Sequence, residues 1–424
     1  MAHYVIVGAS AGAVGAVEGI RTLDPSGEVT VISEEAMAPY SRPSISEYLD
    51  GRVDESSLRF GLSDFWAENN AKTILGRRVN TLTLQDRKLQ LDDGQSIGFD
   101  KLLLASGAKP IIPRMGGTDK DGFCTFSSIA DVSKIKQKLP AASKSVVIGG
   151  GLIGIAAAEA LANLGIDVTV VELRGWLLNL VLDREAAKIV ESTMHRRGVN
   201  IVTGQSVQEI IGREDDGSKV GCVLLSSGEH VACDLVVAAI GVTPRTELAV
   251  QAGLKVNRGI VVNRFMETSA PDVYACGDVA EAYDYSKDAN QVLALWPLAR
   301  LGGKVAGMNM AGGRVEYPGG VAMSALRYFD IPIISVGTVL VDDSNGYEVL
   351  LSSTGDVYKK VVLRSGEIVG FTLVGSIGSA GLLNNLMRSK TDVSKFKDKL
   401  LDEAFSFAHL PEALRRKTLM EVWA

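Results

Sequence analysis

The feature that most constrains this chain is a glycine-rich strand, turn and helix pattern that occurs twice, about 140 residues apart. The first copy runs from the apolar Tyr4–Val7 through Gly8-Ala9-Ser10-Ala11-Gly12-Ala13 into the helical stretch Val14–Leu23. Small residues at the end of a buried strand let backbone approach a pyrophosphate, and the helix behind them offers amide donors and a positive dipole end. Gly8, Gly12 and Ala13 fit that demand. Ser10 stands where the usual fingerprint has its second glycine, which makes this copy the weaker one. The next strand, Glu28–Ile32, leads to Ser33-Glu34-Glu35, so a carboxylate falls about twenty positions past the turn, where it can accept from ribose hydroxyls. One of the two acids is expected to be an ordinary solvated residue.

The second copy keeps all three glycines: strand Ser145–Ile148, then Gly149-Gly150-Gly151-Leu152-Ile153-Gly154, then a helix Ile155–Leu164 ended by Gly165. Strand Asp167–Val171 ends at Glu172, whose carboxylate suits an adenosine ribose and repels a 2′-phosphate, favouring NADH over NADPH, although Arg174 lies two residues on. Two such turns imply two dinucleotides, the natural pairing being a flavin relay and an exchangeable nicotinamide.

Composition narrows the field. At 424 residues about three domains are expected. The 45 glycines show no collagen-like or linker-like period and are expected in turns. A net charge of −6 argues against a nucleic-acid partner. No apolar run reaches the length of a membrane span, and the buried-strand pattern that starts at the first residues leaves no room for a secretion signal, so a cytoplasmic protein is expected. Cys124, Cys222, Cys233 and Cys276 form no C-x-x-C pair, and His3, His195, His230 and His409 have no ligand spacing. Neither a redox dithiol nor a metal site is expected.

Beyond the two turns, several segments carry a more specific likeness: Ala38-Pro39-Tyr40-Ser41-Arg42-Pro43, Leu102 to Pro110, Val236 to Pro244, and Thr268-Ser269-Ala270-Pro271-Asp272-Val273-Tyr274-Ala275-Cys276-Gly277-Asp278. Through these the chain resembles the pyridine-nucleotide flavoprotein oxidoreductases of the glutathione-reductase fold. The likeness is to the NADH-dependent ferredoxin and rubredoxin reductase branch and the flavoprotein part of nitrite reductases. It implies an α/β fold with two Rossmann-like dinucleotide-binding domains, the NAD domain inserted in the FAD domain, plus a smaller α+β C-terminal domain. The boundaries expected are 1–112 with 241–315 for FAD, 113–240 for NAD, and 316–424 for the C-terminal interface domain. Met323 to Phe329 resembles the start of that last domain, and Ile333–Leu340, Val357–Leu363 and Ile368–Val374 read as its strands.

The resemblance also assigns residues. FAD would be held by Gly8, Ser10, Ala11, Gly12, Glu34, Glu35, Arg42, Ser46, Val79, Ser106, Gly107, Asp278 and Trp296. Of these, Arg42 would lie beside the pyrophosphate, Val79 would use its backbone on the adenine, and Asp278 would bond the ribityl chain. NAD would be held by Gly149, Gly151, Leu152, Ile153, Gly154, Glu172 and Gly241. Many relatives pair a Lys after the Ser matched by Ser46 with a Glu two residues past the third NAD glycine. Here those positions are Glu47 and Ala156, both partners being lost together, and Glu47 or Glu159 could take over part of the polar role. Glu159 could equally be a helix-surface residue. Glu47, Glu159 and Trp296 are the candidates near the flavin, and none is a certain catalytic group. Disulfide-reducing relatives carry a Cys near Pro43–Ser46; this chain has none there.

The function implied is an NADH:acceptor oxidoreductase, hydride passing from NADH to FAD N5 and then single electrons to, or in reverse from, a ferredoxin- or rubredoxin-type iron–sulfur carrier. An NADH oxidase acting on oxygen or a small oxidant, or an NADH-sensing assembly subunit, are the alternatives. A homo-oligomer or a complex with a redox enzyme is compatible with either. The tail cations Lys395, Lys397, Lys399, Arg415, Arg416 and Lys417 read as a solvated face or a docking patch for an acidic carrier.

Overall fold

The computed structural model describes residues 1–37, 39–59, 64–342 and 346–416; Ala38 and Lys417 lie outside the described residues. The chain divides into two compact units, the first comprising Met1–Ile112, Cys124–Pro140 and Ile240–Val321, the second Pro113–Phe123, Ala141–Ala239 and Ala322–Ala424.

In the first unit five strands run parallel in the order Val273–Ala275, Lys101–Leu104, His3–Val7, Glu28–Ser33, Ala71–Leu75. Their nearly uninterrupted Val, Ile and Leu runs are what a sheet covered on both faces requires, and Val5, Ile6, Leu102 and Leu103 are fully buried. Helix Ala11–Leu23 packs against Trp296–Met310 with backbones in contact. A Cβ on Gly303 would stand 2.0 Å from the Gly12 carbonyl oxygen, one on Gly307 2.1 Å from that of Ala16, and one on Gly15 2.0 Å from that of Arg300. Glycines three and four residues apart form a stripe on each helix, so these are packing glycines, not turn residues, a correction to the reading from composition.

In the second unit a parallel sheet contains Asn200–Thr203, Asp167–Glu172, Lys144–Ile148 and Leu235–Ala238 as successive neighbours. A separate antiparallel sheet runs Met323–Tyr328, Ile331–Gly337, Glu367–Val374, Val357–Arg364, Glu348–Thr354. Helix Ala380–Arg388 packs on it through Leu382, Leu383 and Leu386. Among the described residues beyond that helix, the tail has the single 3₁₀ turns Lys397–Lys399 and Phe407–His409 and a short helical stretch at 412–416. Among the described residues no helix is long and apolar enough to cross a membrane.

Candidate functional site

In each parallel sheet the named residues collect at the carboxyl ends of the strands, and in the first unit the strand order reverses between His3–Val7 and Lys101–Leu104. This is where open α/β sheets receive ligands. Gly8 ends the central strand at φ 114°, its amide donating to the Ile32 carbonyl at 2.8 Å, and a Cβ there would lie 2.1 Å from the Ala105 oxygen. No larger residue fits. Ser10 is the N-cap of the Ala11–Leu23 helix at φ −103°, ψ −159°, an extended conformation open to any residue, so its replacement of glycine does not impair the turn. Its hydroxyl makes no capping bond and the first turn carries no acid, which leaves a helix end suited to a phosphate.

Both acids after the second strand are ion-paired, and Glu34 is the exposed one of the two. Glu34 Oε1 lies 2.5 Å from Arg245 Nη1, and Glu35 is ion-paired with Arg42 Nη2. Arg42 also donates from Nη1 to the Ser127 carbonyl at 2.8 Å, and its guanidinium lies 5.2 Å from the centre of the Tyr40 ring. Burial alone would lower the Arg42 pKa, but Glu35, Tyr40 and Asp278 together outweigh it and raise it. Tyr40 is buried, which pushes its phenol up to about 12, and its oxygen accepts the Ile129 amide at 3.3 Å.

Asp278 sits in the 3₁₀ turn Gly277–Val279 that follows strand Val273–Ala275. Burial raises its pKa and the charge of Arg42 draws it partly back, so the fold brings Asp278 within electrostatic reach of Arg42. Ser46 is buried in the short helix Ile45–Leu49, and Glu47 is half-buried beside it. Val79 opens the strand Val79–Thr83, and half-buried Trp296 opens the helix Trp296–Met310 with Pro297 behind it. The Ser106 hydroxyl donates to the Arg245 carbonyl at 3.2 Å, and the Arg245 amide to the Gly107 carbonyl at 3.0 Å. Strands Ala108–Pro110 and Val242–Pro244 pair antiparallel next to this point. Gly241, expected with the NAD residues, belongs to this first unit, where its carbonyl accepts from Ile111 at 3.0 Å.

Two contributors escaped the sequence reading. Arg245 ties Glu34 to the segment at 106–108. Asp131, itself buried, accepts from the Ser127 amide at 2.9 Å and the Ser128 amide at 3.1 Å and so shapes the loop that offers its carbonyl to Arg42. The signal for Asp131 was present as the capping box Ser128 to Asp131.

Burial works against thiolate formation in three of the four cysteines. Burial pushes Cys276 and Cys233 up to about 12 and raises Cys222, while Cys124 is buried. A nucleophilic thiol needs the opposite shift.

In the second unit the Gly149 amide donates to the Val171 carbonyl at 2.8 Å, and a Cβ on Gly154 would meet the Gly149 oxygen at 1.9 Å. Gly151 caps the helix Leu152–Asn163 with open space beside it and no acid in the first turn, so this turn also fits a pyrophosphate. Glu172 is 8% exposed and accepts the Gly150 amide on Oε2 and the Arg174 amide on Oε1, each at 2.7 Å. The carboxylate that would read the ribose thus also braces the phosphate turn. Ile153 is partly exposed on the first turn. Glu159 is buried on that helix, not a surface residue, and accepts the Phe329 amide at 2.6 Å. Of the tail cations, Lys397, Lys399 and Arg416 are matched by Glu348, Asp402 and Glu412, which weakens their case as a docking patch.

Residues 2–303 match the family model described as pyridine nucleotide-disulphide oxidoreductase, and residues 323–391 the one described as rubredoxin NAD+ reductase C-terminal domain. The chain is 30% identical over 395 residues to nitrite reductase [NAD(P)H] of Bacillus subtilis, covering 93% of this chain but 48% of that protein. It thus spans about half the length of that relative. It is 29% identical to the NADH-dependent phenylglyoxylate dehydrogenase subunit epsilon of Aromatoleum evansii over 99% of this chain and 98% of the relative. It is 33% identical to the rubredoxin-NAD(+) reductase of Pseudomonas putida over 66% of this chain and 72% of the relative. Among solved structures, the covalent putidaredoxin reductase–putidaredoxin complex matches with TM-score 0.84 and 25% identity, over 92% of this chain and 94% of that one.

Proposed function

The chain belongs to the pyridine nucleotide-disulphide oxidoreductase family, and from that premise we propose that it is an FAD-dependent NADH:acceptor oxidoreductase serving a ferredoxin- or rubredoxin-type iron–sulfur carrier. The observation that carries this reading is the pairing of two phosphate-suited turns with thiols that burial keeps protonated. A family member without an activated thiol has no disulfide relay, so electrons leave through the cofactor's own edge. The C-terminal domain match and the rubredoxin and putidaredoxin reductase relatives support an iron–sulfur acceptor.

When bound, the flavin would accept hydride from NADH and release electrons singly. The protein's part is placement: the Gly8–Gly12 turn would hold the flavin pyrophosphate with the Arg42 charge beside it, Asp278 would accept from its polyol hydroxyls, and Glu172 would read the nicotinamide cofactor's adenosine ribose in favour of NADH. Residues 1–112 with 241–315 form the flavin domain in this reading, 113–240 the nicotinamide domain and 316–424 the third. The relative that is one subunit of a dehydrogenase supports assembly with a larger redox enzyme as a further setting. Free thiols at all four cysteines support a reducing, cytoplasmic location.

The test is an anaerobic titration of the flavin-loaded protein with NADH, followed by oxidised ferredoxin or rubredoxin. Bleaching of the flavin band with recovery on adding the carrier is the expected result. Recovery with oxygen alone would point to an oxidase, and failure to bleach would favour the sensing subunit.

A further inference from the structure

The helix Leu152–Asn163 is nearly all small and apolar, yet one turn of the antiparallel sheet in the same unit grips it twice. Tyr328 is 6% exposed and its hydroxyl donates to the Leu152 carbonyl at 2.6 Å. The next residue donates its amide to Glu159 Oε1, also at 2.6 Å. Leu152 and Glu159 are two helical turns apart and therefore share a face. A buried carboxylate in the run Ala156-Ala157-Ala158-Glu159-Ala160 is unfavourable unless it is hydrogen-bonded, and the Phe329 amide supplies such a bond.

The turn itself is strained. Phe329 at φ 48° and Asp330 at φ 70° both occupy the left-handed region without a glycine between them. A bulky aromatic holds that conformation only where its surroundings over-determine it. Glu159 fixes the Phe329 amide, and Arg197 holds the Asp330 carboxylate at 2.9 Å.

Leu152 directly follows the N-cap Gly151. Its carbonyl and the Ile153 amide belong to one planar peptide unit, so fixing the carbonyl fixes the direction of the Ile153 N–H. We propose that Tyr328 and Glu159 are positioning residues for NAD(H): through them the C-terminal sheet aims the first-turn amides of the dinucleotide helix and sets affinity for the cofactor. This rests on the reading of Gly149–Gly154 as the nicotinamide-dinucleotide turn.

The experiment is calorimetric titration of the full-length, flavin-loaded protein with NAD+, with thermal melting measured alongside. Tyr328→Phe deletes one hydroxyl and should weaken NAD+ by roughly three- to tenfold. Glu159→Leu should weaken it comparably, whereas Glu159→Gln, which keeps an oxygen for the Phe329 amide, should restore nearly the native affinity. A purely structural role would lower the melting temperature of Tyr328→Phe and Glu159→Leu while leaving their NAD+ affinity at the wild-type value, and that result overturns the inference. If the unsubstituted protein does not bind NAD+ at all, the reading of the turn fails first and the inference with it.

Discussion

Lys360 Nζ lies 2.8 Å from Asp183 Oδ2, and the Tyr358 hydroxyl donates to the same oxygen at 2.5 Å. Asp183 is also the N-cap of helix Arg184–Arg196, its Oδ1 accepting the Ala186 amide at 3.1 Å. Burial alone would raise the Asp183 pKa, but the bonds from Lys360, Tyr358 and Ala186 outweigh it and hold the carboxyl below its ordinary value. A depressed carboxylate contributes stability above its unfolded pKa, near 3.8, and that contribution is lost as pH falls through the folded value. Asp183→Asn should therefore destabilise the second unit by about 2 kcal/mol at neutral pH, below the usual range for a fully buried pair because a quarter of the Asp183 side chain is exposed. Urea melts of both proteins across pH should show the gap closing below about pH 4. A gap that persists at low pH would show that packing, not charge, is what the substitution removes.

The glycine stripes between Ala11–Leu23 and Trp296–Met310 make a second prediction. Gly303→Ala places a Cβ 2.0 Å from the Gly12 oxygen, so the helices must separate at the turn expected to hold the flavin pyrophosphate. A loss of about 1–3 kcal/mol is expected, together with weaker flavin retention. Gly381→Ala is the control: it lies in helix Ala380–Arg388 with nothing nearby, so the same change should be neutral or stabilise by up to about 1 kcal/mol. Equal melting temperatures for Gly303→Ala and wild type would mean the helices have slack that the close contacts do not suggest.

Both glycine-rich turns were legible in the sequence because they are local, a strand's apolar run broken by small residues and followed by helical periodicity. Ser10 shows the limit of motif reading, since the slot needs a small residue but not, at φ −103°, a glycine. What stayed hidden was long-range. Arg245 meets Glu34 only because the chain returns past Gly107, and the burial of the adjacent Lys359 and Lys360 follows only from the pairing of the sheet. The helical glycines carried a visible spacing in Gly12, Gly15 and Gly19, but their partners at Gly303 and Gly307 lie nearly 300 residues away.

Glu172 supports a third prediction. It accepts two turn amides as well as standing where the ribose would lie, so Glu172→Ser should lose both functions. The NADH to NADPH ratio of kcat/KM should fall, and KM for NADH should rise roughly tenfold from the two lost charge-assisted bonds. Steady-state kinetics with each cofactor checks this. A ratio equal to that of wild type would move the choice between cofactors to another residue.

Arg42 and Asp278 give the last prediction. The Arg42 fork holds Glu35 with one nitrogen and the Ser127 carbonyl with the other, a geometry the single ammonium of lysine does not reproduce. Asp278 feels the charge of Arg42, which lies in the 3₁₀ turn Arg42–Ser44, so the two are expected to act on one cofactor. Arg42→Lys should weaken flavin binding roughly tenfold, and Asp278→Ala by roughly ten- to a hundredfold, since a charged hydrogen-bonding group contributes about 1.5–3 kcal/mol. Asp278→Asn keeps an acceptor oxygen and should lie between Asp278→Ala and wild type. Flavin content after gel filtration, and titration of stripped protein with FAD, read these values directly. Full occupancy in Asp278→Ala would remove that residue from the flavin site, and full occupancy in Arg42→Lys would leave Arg42 as a structural ion pair with Glu35.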